Sequence, residues 1–239
     1  MPKFDQRLGE DARGDRPRRP HFSSVTRHGW LVETRAASVA ELHRLGLPEP
    51  VRREVRLLRP TDAALVLGST QPEPRPSTWP VVRRRGGGGA VIVAPGEMIW
   101  IEVAVPKGDG LWDDDVGRAF LWLGEVWAAA LTDLGIAAAQ VHHGAAVCTP
   151  LCRQVCFAGL GSGEVTVGGR KAVGMSQRRT RAGALFQCSL LRRWDPAAYA
   201  EALALAPDAT AAIEGAALAF PDLATEAVES AFLAHLPPT

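Results

Sequence analysis

The sequence predicts an α+β protein, on three observations. Short apolar runs bounded by Gly and Pro recur between residues 51 and 191, as strands do. One amphipathic pattern of helical period interrupts them from Asp113 to Gly135. An Ala/Leu-rich tail from Pro196, broken at Pro207 and Pro221, reads as a compact set of short helices.

In chain order, residues 1–27 are polar, rich in Arg, Asp and Pro, and without apolar periodicity, so a loose arm is expected, with Phe4 and Phe22 as docking candidates. Residues 28–239 are expected to form a single domain that ends in the short helices of residues 196–239. Ser38 and Glu41 fit a capping box for a helix running to Leu45, with Gly46 as its stop. Val51 to Leu58 alternates charge with apolar residues and predicts a half-exposed strand. Ala63 to Leu67 reads as a buried strand, and Pro72 to Pro80, with four prolines, as an irregular loop. Ala90–Val93 and Met98–Val105 read as the two strands of a hairpin turning at Pro95-Gly96. Asp113, Asp114 and Asp115 would open the main helix, where the macrodipole favours negative charge. Val116, Phe120, Leu123, Trp127, Ala130 and Leu134 follow at helical spacing, with Trp122 and Trp127 as packing residues. Ile136–Val141, Glu164–Val167 and Ala184–Leu191 are further strands.

Lys and Arg total 27 against 26 Asp and Glu, so net charge argues for neither a nucleic-acid nor a membrane partner. No apolar stretch approaches the roughly 20 residues of a membrane span, and the N-terminus lacks the apolar core of a signal peptide. The expectation is a cytoplasmic protein. Its four cysteines, Cys148, Cys152, Cys156 and Cys188, are too few and too clustered for a disulfide framework, so reduced thiols are expected. With His142 and His143 upstream, the thiols suit zinc by type but not by spacing, and Pro150 interrupts any helix that would align them. No metal site is expected from them. A thiol among them could act as a nucleophile beside a cation.

Two stretches carry chemistry. Arg83-Arg84-Arg85-Gly86-Gly87-Gly88-Gly89-Ala90-Val91 joins three guanidinium groups to four residues without a Cβ, which lets backbone N–H groups approach an anion. The alternative is a solvated flexible loop. Gly168-Gly169-Arg170-Lys171-Ala172-Val173-Gly174-Met175-Ser176-Gln177-Arg178-Arg179 is a turn leading into a strand that begins with one of only three lysines in the chain. Together, from about Gly68 to Leu191, they resemble the lipoate–protein ligase and octanoyltransferase family, relatives of the biotin ligases. That family carries an R-R-x-S-G-G-G-A-V loop and a downstream G-x-K-x-x-G-S-A-Q-R motif. Arg83, Arg84, Gly87, Gly88, Gly89, Ala90 and Val91 match the first; Lys171, Gly174, Gln177 and Arg178 match the second.

The resemblance implies a biotin/lipoate protein ligase-like fold, similar to class II synthetases: a mixed, largely antiparallel sheet flanked by helices. It implies a ligase that joins lipoate or octanoate to ATP, with Mg²⁺, and passes the acyl group to a lysine of a lipoyl domain. The acceptors would be lipoyl domains of 2-oxoacid dehydrogenase subunits or the glycine cleavage H protein. Lys171 would be the catalytic cation, and Arg83, Arg84, Gly86 to Ala90, Gly174, Gln177 and Arg178 would hold nucleotide and acyl chain. The alternative within the family is an octanoyl-carrier-protein:protein transferase, for which Cys156-Phe157-Ala158 resembles the nucleophile context. A third reading is a catalytically silent acyl- or nucleotide-binding module. It is motivated by departures: Gly86 where the family has Ser or Thr, Ala94 in a segment that replaces His-Asp, and Gln187-Cys188 in place of His-Gly.

Overall fold

The computed structural model describes residues 24–74 and 77–238. Phe4, Phe22 and most of the expected arm lie outside them. Ser24–Arg27, the last residues assigned to that arm, instead form strand β1, which pairs antiparallel with β2 (Trp30–Ala37). The turn between them is His28-Gly29, both at positive φ, as a two-residue hairpin of this hand requires.

There follow α1 (Val39–Arg44), β3 (Glu54–Pro60), β4 (Ala64–Leu67), β5 (Val81–Arg83), β6 (Val91–Val93), β7 (Met98–Pro106) and α2 (Leu121–Asp133). The chain continues through β8 (Ala139–Val141), β9 (Val147–Cys148), β10 (Gly159–Leu160), β11 (Val165–Val167), β12 (Arg170–Arg179) and β13 (Gly183–Leu191). It ends with α3 (Pro196–Ala202), α4 (Ala209–Glu214) and α5 (Thr225–Ala234). The predicted capping box is present: Ser38 Oγ accepts from the Glu41 N–H, and the Glu41 carboxylate accepts from the Ser38 N–H.

Eight strands form one sheet in the order β1-β2-β3-β7-β13-β12-β11-β8, antiparallel throughout except for β2 and β3. A small sheet, β5-β4-β6, lies apart. Period-2 alternation gives the large sheet two faces. Ile99, Ile101, Val103 and Val105 of β7 join Ala184, Phe186 and Leu190 of β13 in a core covered by α2 and α5. Met98 and Trp100 face the other way, against Val66, Val91 and Val93 of the small sheet and Val39 and Leu42 of α1. Trp122 stacks on Trp30 with ring centroids 6.2 Å apart, and Trp127 meets Phe232 at 4.8 Å, so both tryptophans pack as expected. No helix among the described residues is long and apolar enough to cross a membrane.

Four expectations are corrected. The hairpin does not form: β6 pairs with β4, whereas β7 lies between β3 and β13. A strand buried on both faces needs hydrogen-bonded neighbours on both edges, and the Ala94–Glu97 turn carries the chain from one sheet to the other. Strand β3 is buried rather than half exposed, because Glu54 and Arg56 pair with each other inside the sheet. Asp113 to Asp115 build a lead-in turn, not the first helical turn. Asp115 accepts from the Gly117 and Arg118 N–H groups, Asp113 pairs with Arg118, and α2 starts only at Leu121. Lastly, Cys148 and Cys152 form a disulfide, their Cα atoms 5.3 Å apart, while Cys156 and Cys188 are free.

Candidate active site

The glycine loop links β5 to β6 and roofs the space between the two sheets. Arg84 is 5% exposed and curls back under the loop, its guanidinium donating to the Gly87 carbonyl at 2.7 Å and the Gly89 carbonyl at 2.7 Å. Arg83 donates to the Gly68 and Gln71 carbonyls at 2.9 and 2.6 Å, outside the cleft. Both arginines expected to face a nucleotide are therefore bound to main-chain oxygens. They fix the loop's shape. Close packing requires the glycines: a Cβ on Gly89 would stand 2.6 Å from the Val155 carbonyl carbon, and one on Gly68 would stand 2.0 Å from the Gly88 oxygen. The N–H groups of Arg85, Gly86, Gly87, Gly88 and Gly89 donate to no other described residue. Successive unpaired amides of this kind form an anion-binding concavity.

The loop is stitched to the segment that carries Cys156. Ala90 N–H donates to the Gln154 carbonyl at 2.7 Å, and Cys156 N–H to the Ala90 carbonyl at 3.0 Å. Lys171, at the start of β12, reaches the same segment: its Nζ donates to the Cys156 carbonyl at 3.0 Å and lies 5.4 Å from the Phe157 ring centroid. The ammonium is paired at 2.8 Å with Glu164, both side chains being about 5% exposed or less. Glu164 also accepts from the Gly161 N–H at 2.6 Å and the Met175 N–H at 2.8 Å. Glu164 was not among the residues singled out in the sequence. A carboxylate seven positions before Lys171 carries no spacing signal until β11 and β12 are known to pair.

Below the loop lies a mostly apolar cleft, between Val66, Val91 and Val93 of the small sheet and the floor strands β7, β12 and β13. Direct cross-strand pairing lays that floor in rows. Trp100, Ser189 and Gly174 form one row, and Gly174 is flat because a Cβ there would meet the Phe157 ring at 3.1 Å. Two residues further along stand Arg56, Glu102, Gln187 and Ser176, each paired with the next. Cys156 lines the cleft; Lys171 does not, and opens instead onto a second cavity behind Phe157. Gly174 lies on the floor, whereas Gln177 turns to the other face of β12, where its Oε1 accepts from Arg179.

An adjoining small cavity is bordered by Arg85, Gly86 and Arg178, and shares His43 and Gln187 with the cleft. Among the described residues, the guanidinium groups of Arg85 and Arg178 have no hydrogen-bonded or ionic partner, the main chain of Arg178 being paired in β12. His43, at the end of α1, lies with its ring centroid 4.6 Å from that of Trp100. Burial, then the charge of Arg84, lower its pKa to about 4, so the imidazole is neutral. Burial pushes Glu102 up to about 7, against the pull of the Gln187 hydrogen bond and Arg56. A histidine at the end of a six-residue helix gave no signal in the sequence. Among the described residues no group of three or more His, Cys, Asp or Glu could hold a metal ion.

The model of the lipoyl protein ligase A/B catalytic domain family matches residues 43–218. Solved structures are similar in fold. A lipoate-protein ligase A bound with ATP superposes with a TM-score of 0.59 at 19% identity, covering 77% of this chain and 71% of that one. A Thermoplasma acidophilum protein with bound lipoic acid gives 0.58 at 18% identity, with the same coverage of 77% and 71%. A bi-partite lipoate protein ligase from Thermoplasma acidophilum, described with its E2 lipoyl domain, gives 0.54 at 17% identity over 77% of this chain and 69% of that one. No curated protein sequence matches this chain. At these identities the structural likeness shows a shared fold.

Proposed function

The chain belongs to the lipoyl protein ligase A/B catalytic domain family, and from that premise we propose that it activates a medium-chain acid, lipoate or octanoate, with ATP and transfers the acyl group to a lysine of a lipoyl domain. One observation carries this reading: an apolar cleft adjoins a loop with a run of unpaired N–H groups and two unpaired guanidinium groups. The acyl chain would lie on the floor of β12 and β13. The triphosphate would lie along the run of unpaired N–H groups of the loop. ATP fits the cationic loop. No Asp or Glu lines either cavity, so Mg²⁺ would enter on the phosphates.

Lys171, set by Glu164 against the Cys156 carbonyl, would stabilise negative charge developing on the acyl carbonyl as the bond to the leaving phosphate breaks. Arg84 acts indirectly, by fixing the loop. Proteins of similar fold carry the same ingredients: one holds ATP, one lipoic acid, and one is described with its lipoyl domain. The second reading, a transferase, rests on the position of Cys156 in the cleft lining. There the thiolate would take the acyl group from a carrier thioester, releasing the carrier thiol, and pass it to the lipoyl lysine.

The deciding experiment incubates the protein with an apo lipoyl domain and follows that domain's mass. Modification from octanoate plus ATP supports the ligase. Modification only from octanoyl carrier protein, with a thioester trapped on Cys156, establishes the transferase. Loss of neither activity in Lys171→Ala removes the proposed role of that lysine. Ligand binding without any modification supports the silent module.

A further inference from the structure

The row Arg56–Glu102–Gln187–Ser176 crosses the large sheet and is polar from strand to strand, and its Gln187 and Ser176 line one end of the cleft. Arg56 Nε donates to Glu54 at 2.7 Å, and its Nη1 lies 3.5 Å from Glu102. Glu102, fully buried, accepts from Gln187 Nε2 at 2.7 Å, and Ser176 Oγ lies 3.4 Å from Gln187 Oε1. The Gln187 amide is thereby fixed in one orientation, with one N–H spent on Glu102 and the other free. Beside it, His43 Nε2 is buried without any hydrogen-bond partner. A buried polar atom left unpaired is costly, and the cost is recovered when a ligand supplies the partner.

This polar end is far from the reacting end. Lys171 and Ser176 are five residues apart on one strand, about 16 Å at the usual rise. An acyl chain whose carboxyl end lies at Cys156, the residue whose carbonyl Lys171 holds, therefore points its distal end at His43 and Gln187. Such a chain would meet Trp100, Met98 and Val93 along its length and polar atoms only at the tip. His43, with its pKa lowered to about 4 by burial and then by Arg84, offers such a tip a hydrogen bond and no charge.

We propose that His43 and Gln187 recognise a neutral hydrogen-bonding group, such as a hydroxyl, at the distal end of the acyl chain, so that the preferred substrate class is a medium-chain acid with a polar tip. This rests on the reading of the apolar cleft as the acyl site. The Glu54–Arg56–Glu102 chain is the positioning element: it holds the amide and touches no substrate.

Calorimetric binding of octanoate and of its ω-hydroxy derivative to the full chain tests the proposal. The wild type is expected to bind the hydroxy acid about 10- to 100-fold more tightly, the range that one or two buried hydrogen bonds supply. His43→Phe keeps a ring on Trp100 but removes the nitrogen; it should erase the preference, read as the ratio of the two affinities. Gln187→Met, of similar volume, should reduce the preference in the same way. His43→Gln, which returns an N–H near the Nε2 position, should restore part of it. A defect of folding alone would weaken both ligands together. If the wild type binds the two acids equally, or octanoate better, the recognition of a polar tip is overturned while the acyl cleft stands. If it binds neither, both ideas fall.

Discussion

Glu164→Gln is the most informative single substitution, because Glu164 is where the candidate site meets the fold. Its carboxylate receives three donors: Gly161 N–H at 2.6 Å, Met175 N–H at 2.8 Å and Lys171 Nζ at 2.8 Å. With both side chains about 5% exposed or less, solvent does little to screen the pair. An amide keeps one acceptor and turns the other into a donor. With its oxygen kept toward Lys171 and Gly161, its NH₂ faces the Met175 N–H. Removing one partner of a buried ion pair costs about 3–5 kcal/mol. At about 2–4 °C per kcal/mol for a chain of this size, the melting temperature should fall by roughly 6–20 °C. Urea denaturation of the wild type, Glu164→Gln, Lys171→Met and the double variant measures this. The double variant should recover at least half of the loss, because no uncompensated charge remains. A loss below about 1 kcal/mol in Glu164→Gln, or additive losses in the double variant, would refute the coupling and with it the account of how Lys171 is held.

The remaining predictions concern the loop and the buried carboxylate. Gly89→Ala, whose Cβ would stand 2.6 Å from backbone, should cost at least about 2 kcal/mol, whereas Gly87→Ala, with nothing within 4 Å, should be neutral or stabilise by up to about 1 kcal/mol; thermal melts separate them. Arg84→Ala should lower stability, because Arg84 holds two carbonyls of the loop, whereas Arg85→Ala and Arg178→Ala should change it little, read by thermal melts. Gly86→Ser should fold normally and bind ATP no more weakly than the wild type, read by calorimetry and melting. Glu102 has a folded pKa raised to about 7 from 4.5, so it contributes stability fully below about pH 4.5 and loses it as pH rises through 7. Glu102→Gln should therefore gain about 1–3 kcal/mol relative to the wild type between pH 5 and pH 8, measured by urea denaturation at both values.

What the sequence revealed was what is locally determined. The Ser38–Glu41 capping box, the buried strand before Gly68 and the strand led by Lys171 depend on neighbours a few residues away. The two motifs announced the family, whose catalytic-domain model matches residues 43–218. What failed depends on distant partners. Nothing in Ala90–Val105 says that its two strands join different sheets; that follows from β4 and β13. Alternating charge in Val51–Leu58 looked solvated, but Arg56 has Glu54 beside it and Glu102 across the sheet. The arginines of the loop were visible as charge, yet which of them face carbonyls and which remain unpaired is set by the curl of the loop. His43 and Glu164 were silent because each acquires its role from a partner far away in sequence.

The glycines of the loop answer to two separate demands, and the distinction bears on Gly86, the main departure from the family motif. Gly68, Gly88 and Gly89 are fixed by packing: a Cβ at each would meet backbone or the Arg84 guanidinium at 2.0, 3.0 and 2.6 Å. Gly88 is also held at φ +94°, a conformation L side chains rarely adopt. Gly86 and Gly87 are under neither demand. A Cβ on Gly86 finds only the Gln177 oxygen at 3.9 Å, and one on Gly87 finds nothing within 4 Å. The loop would close in the same shape with a serine at 86, because its carbonyl, not its side chain, takes the Ser69 N–H at 2.9 Å. A hydroxyl at that position is therefore a matter of ligand contact and not of folding. Its absence removes at most one hydrogen bond to an anion, about 1.5–3 kcal/mol for a charged acceptor, while the unpaired amides from Arg85 to Gly89 remain in place. Gly86 alone is thus a weak argument for a silent module. The stronger one would be loss of the Lys171–Glu164 pair, and that pair is intact.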